Sequence, residues 1–183
     1  MARESWPVRV PVNVTIRDFD PDDVESVNAV ALAAFSQYQD IYKDWETFSQ
    51  NISRMASLAE QGELIVATRE DKVVGAVVYI GPHKPRSDIF EPAWPIIRML
   101  VVSPDARGLG IGRALAQECI SRARRDGALD IALHTSPIME VALQMYQRMG
   151  FVHMYQAPDT HGVPYGVYLM RLKAAPAVYQ ALF

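Results

Sequence analysis

The stretch of this sequence best suited to chemistry is Arg107-Gly108-Leu109-Gly110-Ile111-Gly112-Arg113. Three glycines at alternate positions let the backbone turn sharply and approach a ligand with no Cβ in the way. The run opens a segment with helical spacing, and a first helical turn offers unpaired N–H groups and the positive end of the dipole. Together these features suit an anion, most naturally phosphate or pyrophosphate. Arg107 and Arg113 are expected to bracket the loop with positive charge. Glycines alone fit a turn that merely packs helix against strand equally well. Two nucleotide-binding patterns fit poorly. Gly112-Arg113-Ala114 lacks the Lys-Ser/Thr that closes a P-loop, and the GxGxG spacing is not the GxGxxG of a dinucleotide fold. Tyr146 shares a helical stripe with Ala142 and Met145, which by itself describes a core residue. Cys119 lies on an apolar helical face, where a buried thiol is inert rather than nucleophilic.

The elements that must position these residues follow from periodicity. Ile96 to Val102 is a nearly continuous apolar run, as expected of a buried central strand, and Ser103-Pro104 stops it. Gly110 to Arg125 reads as a helix with Ile111, Leu115, Cys119, Ile120 and Ala123 on one face, ended by Gly127. A strand over Leu129 to His134 and a short helix over Met139 to Met149 follow, the helix ended by Gly150. Upstream, Val12 to Arg17 alternates as a strand. Asp20-Pro21-Asp22-Asp23 has helix-start chemistry, and Val24, Val27, Ala31, Phe35 and Tyr38 recur at helical spacing. A second helix is expected from about Asp44, with Trp45, Phe48, Ile52, Met55 and Ala59 as one stripe ended by Gly62. Glu63 to Thr68 and Val73 to Ile80 form a hairpin. Gly81 to Pro95 is a long proline-rich loop, and Phe151 to Gln156 with Tyr165 to Leu172 are two closing strands. The order predicts a single α/β domain over residues 1–183 around a mixed sheet, with a loose arm at 1–11 and a tail at 174–183.

Composition narrows the function classes. The chain has 183 residues, 50% of them hydrophobic, and a net charge of −3. That suits one globular domain. No global basic field recommends nucleic acid, and Arg122-Ala123-Arg124-Arg125 reads as a solvated helix end. One cysteine excludes an internal disulfide and a multi-cysteine zinc site, and the four histidines lack HExxH spacing, so no metal is expected. No apolar run is long enough for a membrane span, and the first residues lack the apolar core of a signal peptide. The expected setting is cytoplasmic.

Two motifs in order resemble one family. Arg107-x-x-Gly110-x-Gly112 after a central strand, followed by Met145-Tyr146-Gln147-Arg148-Met149-Gly150-Phe151, is similar to the signature of the GCN5-related N-acetyltransferases (GNAT). The likeness is strongest over residues 96–156, and the flanking elements fit the same fold. It implies a mostly antiparallel mixed sheet with a V-shaped splay, flanked by about four helices. It implies acetyl-CoA as co-substrate, with the pyrophosphate held by Arg107, Gly108, Leu109, Gly110, Ile111, Gly112 and Arg113. Leu100, Val101 and Val102 would lie along the pantetheine arm, and Ser136 would add a hydroxyl contact near the position where relatives carry Asn and this chain has Met139. The implied reaction is direct attack of a primary amine on the thioester in a ternary complex, with Tyr146 as general acid. Relatives place a Glu where this chain has Ile96, so the base is left among water, Glu91, Asp88 and His134. The acceptor would be a small-molecule or peptide amine, flanked by Phe35, Tyr38, Tyr42 and Trp45 on one side and Phe90 and Trp94 on the other. A homodimer is compatible with the apolar tail. Two other readings stand beside this one: an acyl-CoA sensor with little turnover, and a plain nucleotide-binding module.

Overall fold

A computed structural model describes residues 13–172; the arm at 1–11 and the tail at 174–183 lie outside them. Seven strands form one sheet in the order β1-β2-β3-β4-β5-β7-β6. They are β1 (Val14–Asp18), β2 (Glu63–Arg69), β3 (Lys72–Ile80), β4 (Ile96–Val102), β5 (Asp130–Thr135), β6 (Val152–Thr160) and β7 (Val163–Arg171). Four α-helices flank it: α1 (Val24–Phe35), α2 (Trp45–Ile52), α3 (Ile111–Arg125) and α4 (Glu140–Met149). Every neighbouring pair is antiparallel except β4 and β5.

Two apolar cores form because the central strands bury both faces. On one face Val27, Val30, Ala31 and Ala34 of α1 pack with Val66, Val78, Ile96, Val101 and Val167. On the other, Ile111, Leu115 and Cys119 of α3 and Tyr146 of α4 pack with Ile65, Val77, Ile97, Ile131 and Leu133. Gly75 in β3 permits the close approach of α3: a Cβ there would sit 3.0 Å from the Val101 carbonyl oxygen and 3.1 Å from side-chain atoms of Ile111 and Leu115.

Strand β4 departs from regular geometry where the fold needs an opening. Val78 pairs with Arg98 but Ala76 pairs with Val101, so β4 spends three steps where β3 takes two. The extra residue is a bulge, and Met99 within it has φ +52°. On its other edge β4 pairs with β5 only at Ile96↔Ala132 and Ile97↔Leu133. Beyond Ile97 the two strands separate, which is the V-shaped splay.

The structure corrects two boundaries. The second helix does not run on to Ala59: α2 ends at Ile52, and a 3-10 segment, Met55–Glu60, carries the rest of the stripe. Ser53 breaks it, its hydroxyl donating to the Gln50 carbonyl at 2.9 Å, a local bond that competes with helix continuation. The Asn28 side-chain oxygen then accepts the Ala56 N–H at 2.9 Å and anchors the new segment on α1. The second correction is the last hairpin, whose strands run to Thr160 and from Val163, leaving only His161-Gly162 between them. β6 is an edge strand, so Pro158 is tolerated where the register shifts.

Candidate functional site

The glycine loop joins β4 to α3 through a short 3-10 turn at Pro104–Ala106. Gly108 and Gly110 both take the left-handed conformation, with φ +78° and +79°, and Gly110 is the N-cap of α3. The first backbone bond closing the helix is Ala114 N–H to the Gly110 carbonyl at 3.0 Å. Among the described residues, the N–H groups of Gly108, Leu109, Gly110, Ile111, Gly112 and Arg113 have no protein acceptor outside the helix's own pattern. A helix start cannot satisfy its first N–H groups internally, and two left-handed glycines gather more of them into the same turn. The result is a concave row of donors at the positive end of a 15-residue helix.

The two flanking arginines differ. Arg113 is exposed. Arg107 is turned away: its guanidinium donates to the Ala34 carbonyl at 3.1 Å and the Gln37 side-chain oxygen at 3.2 Å. It caps the C-terminal end of α1, where carbonyls and the dipole favour a cation. This corrects the expectation that both side chains bracket the loop with charge; Arg107 ties the loop to α1 and leaves the backbone to meet a ligand.

The loop meets the splayed strand directly. A Cβ on Gly112 would lie 3.5 Å from Leu100 Cδ2, 3.6 Å from Val102 Cγ2 and 3.7 Å from Met145 Sδ. Leu100 and Val102 are half-buried on this face, while Val101 points into the opposite core. From Arg98 onward the edge of β4 facing β5 has no strand partner, so its amides line the slot. Ser136 is fully buried, and its hydroxyl accepts the Ile138 N–H at 3.3 Å in the turn that starts α4. In this arrangement the oxygen serves the turn.

Tyr146 projects from α4 into the second core, its ring edge-on to Phe151 at 5.6 Å between centroids. Burial raises its pKa, and the neighbouring Cys119 adds to the shift. The phenol is therefore protonated throughout the neutral range. Its hydroxyl makes no hydrogen bond within the described residues, yet no buried side-chain oxygen there lacks a partner. The oxygen thus reaches accessible space although the ring is 5% exposed. Cys119 is fully buried and its thiol is pushed well above its ordinary pKa, as an inert core residue requires.

On the other face, the candidates for a base separate. Glu91 and Asp88 are exposed on the proline-rich loop. His134 stands just past the last β4–β5 pair, 5.9 Å from the Phe90 ring and 5.1 Å from that of Tyr165. Burial, and then Arg98, lower its pKa to about 4, so it is a neutral imidazole at pH 7. Ile96 is buried and apolar. Most of the expected aromatics pack together: Tyr42 stacks on Phe48 at 3.9 Å and its hydroxyl lies 2.6 Å from that of Tyr165. Phe48 and Tyr165 were not anticipated. Arg98 was also passed over, although a charged residue inside an apolar strand run is a visible signal. Among the described residues no cluster of His, Cys, Asp and Glu is arranged for a metal.

Comparison with known proteins agrees with this geometry. The model of the acetyltransferase (GNAT) family matches residues 26–151, more than half of the chain. A mycothiol acetyltransferase of Cellulomonas flavigena is 28% identical over 204 aligned positions, covering 97% of this chain and 56% of that protein. The chain spans about half the length of the mycothiol acetyltransferases it matches. Among solved structures, Ard1 from Thermoplasma volcanium superposes with a TM-score of 0.70 at 22% identity, covering 88% of this chain and 99% of that one. The structure of yncA from Salmonella typhimurium with acetyl-CoA gives 0.67 at 19% identity, covering 90% of this chain and 97% of that one. At these identities the structural likeness concerns the fold.

Proposed function

The chain belongs to the acetyltransferase (GNAT) family, and from that premise we propose that it moves the acetyl group of acetyl-CoA to a primary amine by direct attack in a ternary complex. The observation that carries the reading is the row of unpaired loop N–H groups from Gly108 to Arg113, set at the mouth of the β4–β5 splay. The donor set fits a pyrophosphate, and the edge of β4 that β5 leaves unpaired from Arg98 onward fits an amide-rich arm laid alongside as an added strand. When bound, acetyl-CoA supplies the activated acyl carbon.

The chain's own residues then have three tasks. The loop and β4 fix the thioester in the slot, replacing translational freedom with a set geometry. Tyr146, kept protonated by burial, delivers its phenolic proton to the departing thiolate as the C–S bond breaks and the C–N bond forms. The attacking amine must be neutral and sheds one proton after attack. We assign that proton to His134, an unprotonated imidazole just past the last β4–β5 pair, directly or through water. The mycothiol acetyltransferases and N-acetyltransferase 8F1 carry names consistent with this transfer. We place its action in the cytoplasm; among the described residues no helix is long and apolar enough to cross a membrane.

The sensor reading has one observation in its favour: Ile96, at the position where the family resemblance implies a carboxylate, is buried and apolar. Acceptor-dependent release of CoA thiol decides between them. An enzyme releases thiol only when an amine is added; a sensor binds acetyl-CoA in calorimetry and releases none.

A further inference from the structure

Arg98 is a half-buried charge with no counter-ion among the described residues. It sits on β4 one residue past the last pair with β5, on the same face as Ile96. Its single hydrogen bond among the described residues is to the neutral Gln61 side-chain oxygen at 2.8 Å. None of the described carboxylates lies within ion-pair distance of it. Burial accordingly lowers its pKa with no acid opposing the shift. A guanidinium withdrawn from water without an anion is costly, and natural proteins seldom keep one idle.

Arg98 lines a cavity of about 1050 Å³ that opens beside the splay and includes His134, Phe90 and Arg86. Arg86 is also without a carboxylate: its donors go to the carbonyls of Gly81, Lys84 and Trp94. The acids around the same cavity are engaged or peripheral. Glu63 is held by Arg122 and Arg125, and Asp126 by Arg125 and Tyr79. Glu60 and Asp159 are exposed. His134 is neutral at pH 7, so it adds no competing charge. The wall therefore offers the remaining N–H donors of the Arg98 guanidinium to an incoming anion, beside His134 and where β4 and β5 stop pairing.

We propose that the acceptor is a small amine that itself carries a carboxylate, and that Arg98 binds this carboxylate. The proposal rests on the acetyl-transfer reading above. Arg98 is then a specificity-determining residue: it orients the acceptor so that the amine faces the thioester, and Ile96 beside it leaves no acid to repel the substrate. A guanidinium suits this task because it bonds both carboxylate oxygens at once.

The test compares amino acids with their own carboxamides, alanine with alaninamide and phenylalanine with phenylalaninamide, as acceptors for the wild type, Arg98→Gln and Arg98→Lys. The expected result is a kcat/KM at least about 10-fold higher for the acid than for the amide in the wild type. That ratio falls about 10–100-fold in Arg98→Gln and falls less in Arg98→Lys, which retains the charge but loses the two-pronged bond. Acetyl-CoA affinity by calorimetry shows that each variant is folded. N-acetylalanine and N-acetylalaninamide, titrated in the presence of CoA, read the same preference without turnover. Equal handling of acid and amide in both assays overturns the proposal, as does a ratio that Arg98→Gln leaves unchanged. A peptide with an acidic second residue that outperforms every free amino acid overturns the small-molecule assignment. Failure of the acetyl-transfer reading looks different: no thiol release with any amine, acid or amide, whether or not acetyl-CoA binds.

Discussion

At the scale of single residues the account rests on two groups whose protonation is set by burial. Tyr146 stays protonated because its buried ring disfavours phenolate. Tyr146→Phe removes the proton and leaves the packing against Phe151, so kcat falls by about 10²-fold or more while acetyl-CoA affinity changes by less than about 3-fold. Steady-state kinetics beside calorimetry measures both; a variant that loses affinity as much as rate would show that the residue is structural. His134 shifts the opposite way, to about 4. Its unfolded pKa is about 6.5, so below that value the unfolded chain binds a proton that the fold refuses. Stability linked to this residue is complete above about pH 6.5 and is lost as pH falls toward 4. It amounts to about 3 kcal/mol at full effect. In His134→Gln, the urea midpoint should depend less on pH between 4 and 6.5 than in the wild type; an identical slope contradicts the assignment.

At the scale of elements, the loop before α3 depends on left-handed backbone at Gly108 and Gly110. A Cβ on Gly108 would meet nothing within 4 Å, so Gly108→Ala isolates the cost of the conformation from any clash. That cost is about 1 kcal/mol, as is that of Gly110→Ala at the N-cap. Both are expected to weaken acetyl-CoA by about 10-fold, because relaxing φ turns the loop N–H groups away from a common focus. Titration calorimetry checks this; undiminished affinity in both variants would mean that the loop does not hold the pyrophosphate. These glycines were legible because positive φ has a residue type that adopts it readily. The bulge in β4 was not legible locally: Met99 carries φ +52° with no Gly or Asn to announce it, and it is set by pairing with β3 on one side only. The break after Ile52 was also hidden, since the apolar stripe continues through Met55 and Ala59 while the backbone changes its hydrogen bonding at Ser53.

At the scale of the whole molecule, charge holds the sheet to α3. Arg122 bonds Asp18, Glu63 and Glu118, and Arg125 bonds Glu63 and Asp126. The basic run at 122–125 is thus largely matched by acids, in keeping with a helix end rather than a nucleic-acid surface. The carboxylates of Glu63 and Asp126 are held below their usual range chiefly by Arg125, and that of Asp23 by Arg17. Each is fully ionised in the fold where the unfolded chain has begun to protonate. Their contribution is complete above about pH 4.5 and is lost as pH falls through their lowered values. Arg125→Ala should shrink this acid-labile part and lower Tm at pH 7, with a smaller loss in high salt; scanning calorimetry across pH and salt reads it. The fold was legible in the sequence from the two motifs and from strands that read as continuous apolar runs. The cavity that Arg98, Arg86 and His134 share was legible only in part: His134 and Phe90 could be named singly, but the grouping needs β4, β5 and the proline-rich loop in place.

Acetyl transfer through the slot between β4 and β5, with Tyr146 as acid, is directly measurable. The most direct test is thiol release from acetyl-CoA, with and without amine acceptors, for the wild type beside Tyr146→Phe. The account predicts release that requires an acceptor and collapses in the variant while acetyl-CoA still binds. Acetyl-CoA binding with no acceptor-dependent release, or equal release by both proteins, would contradict it.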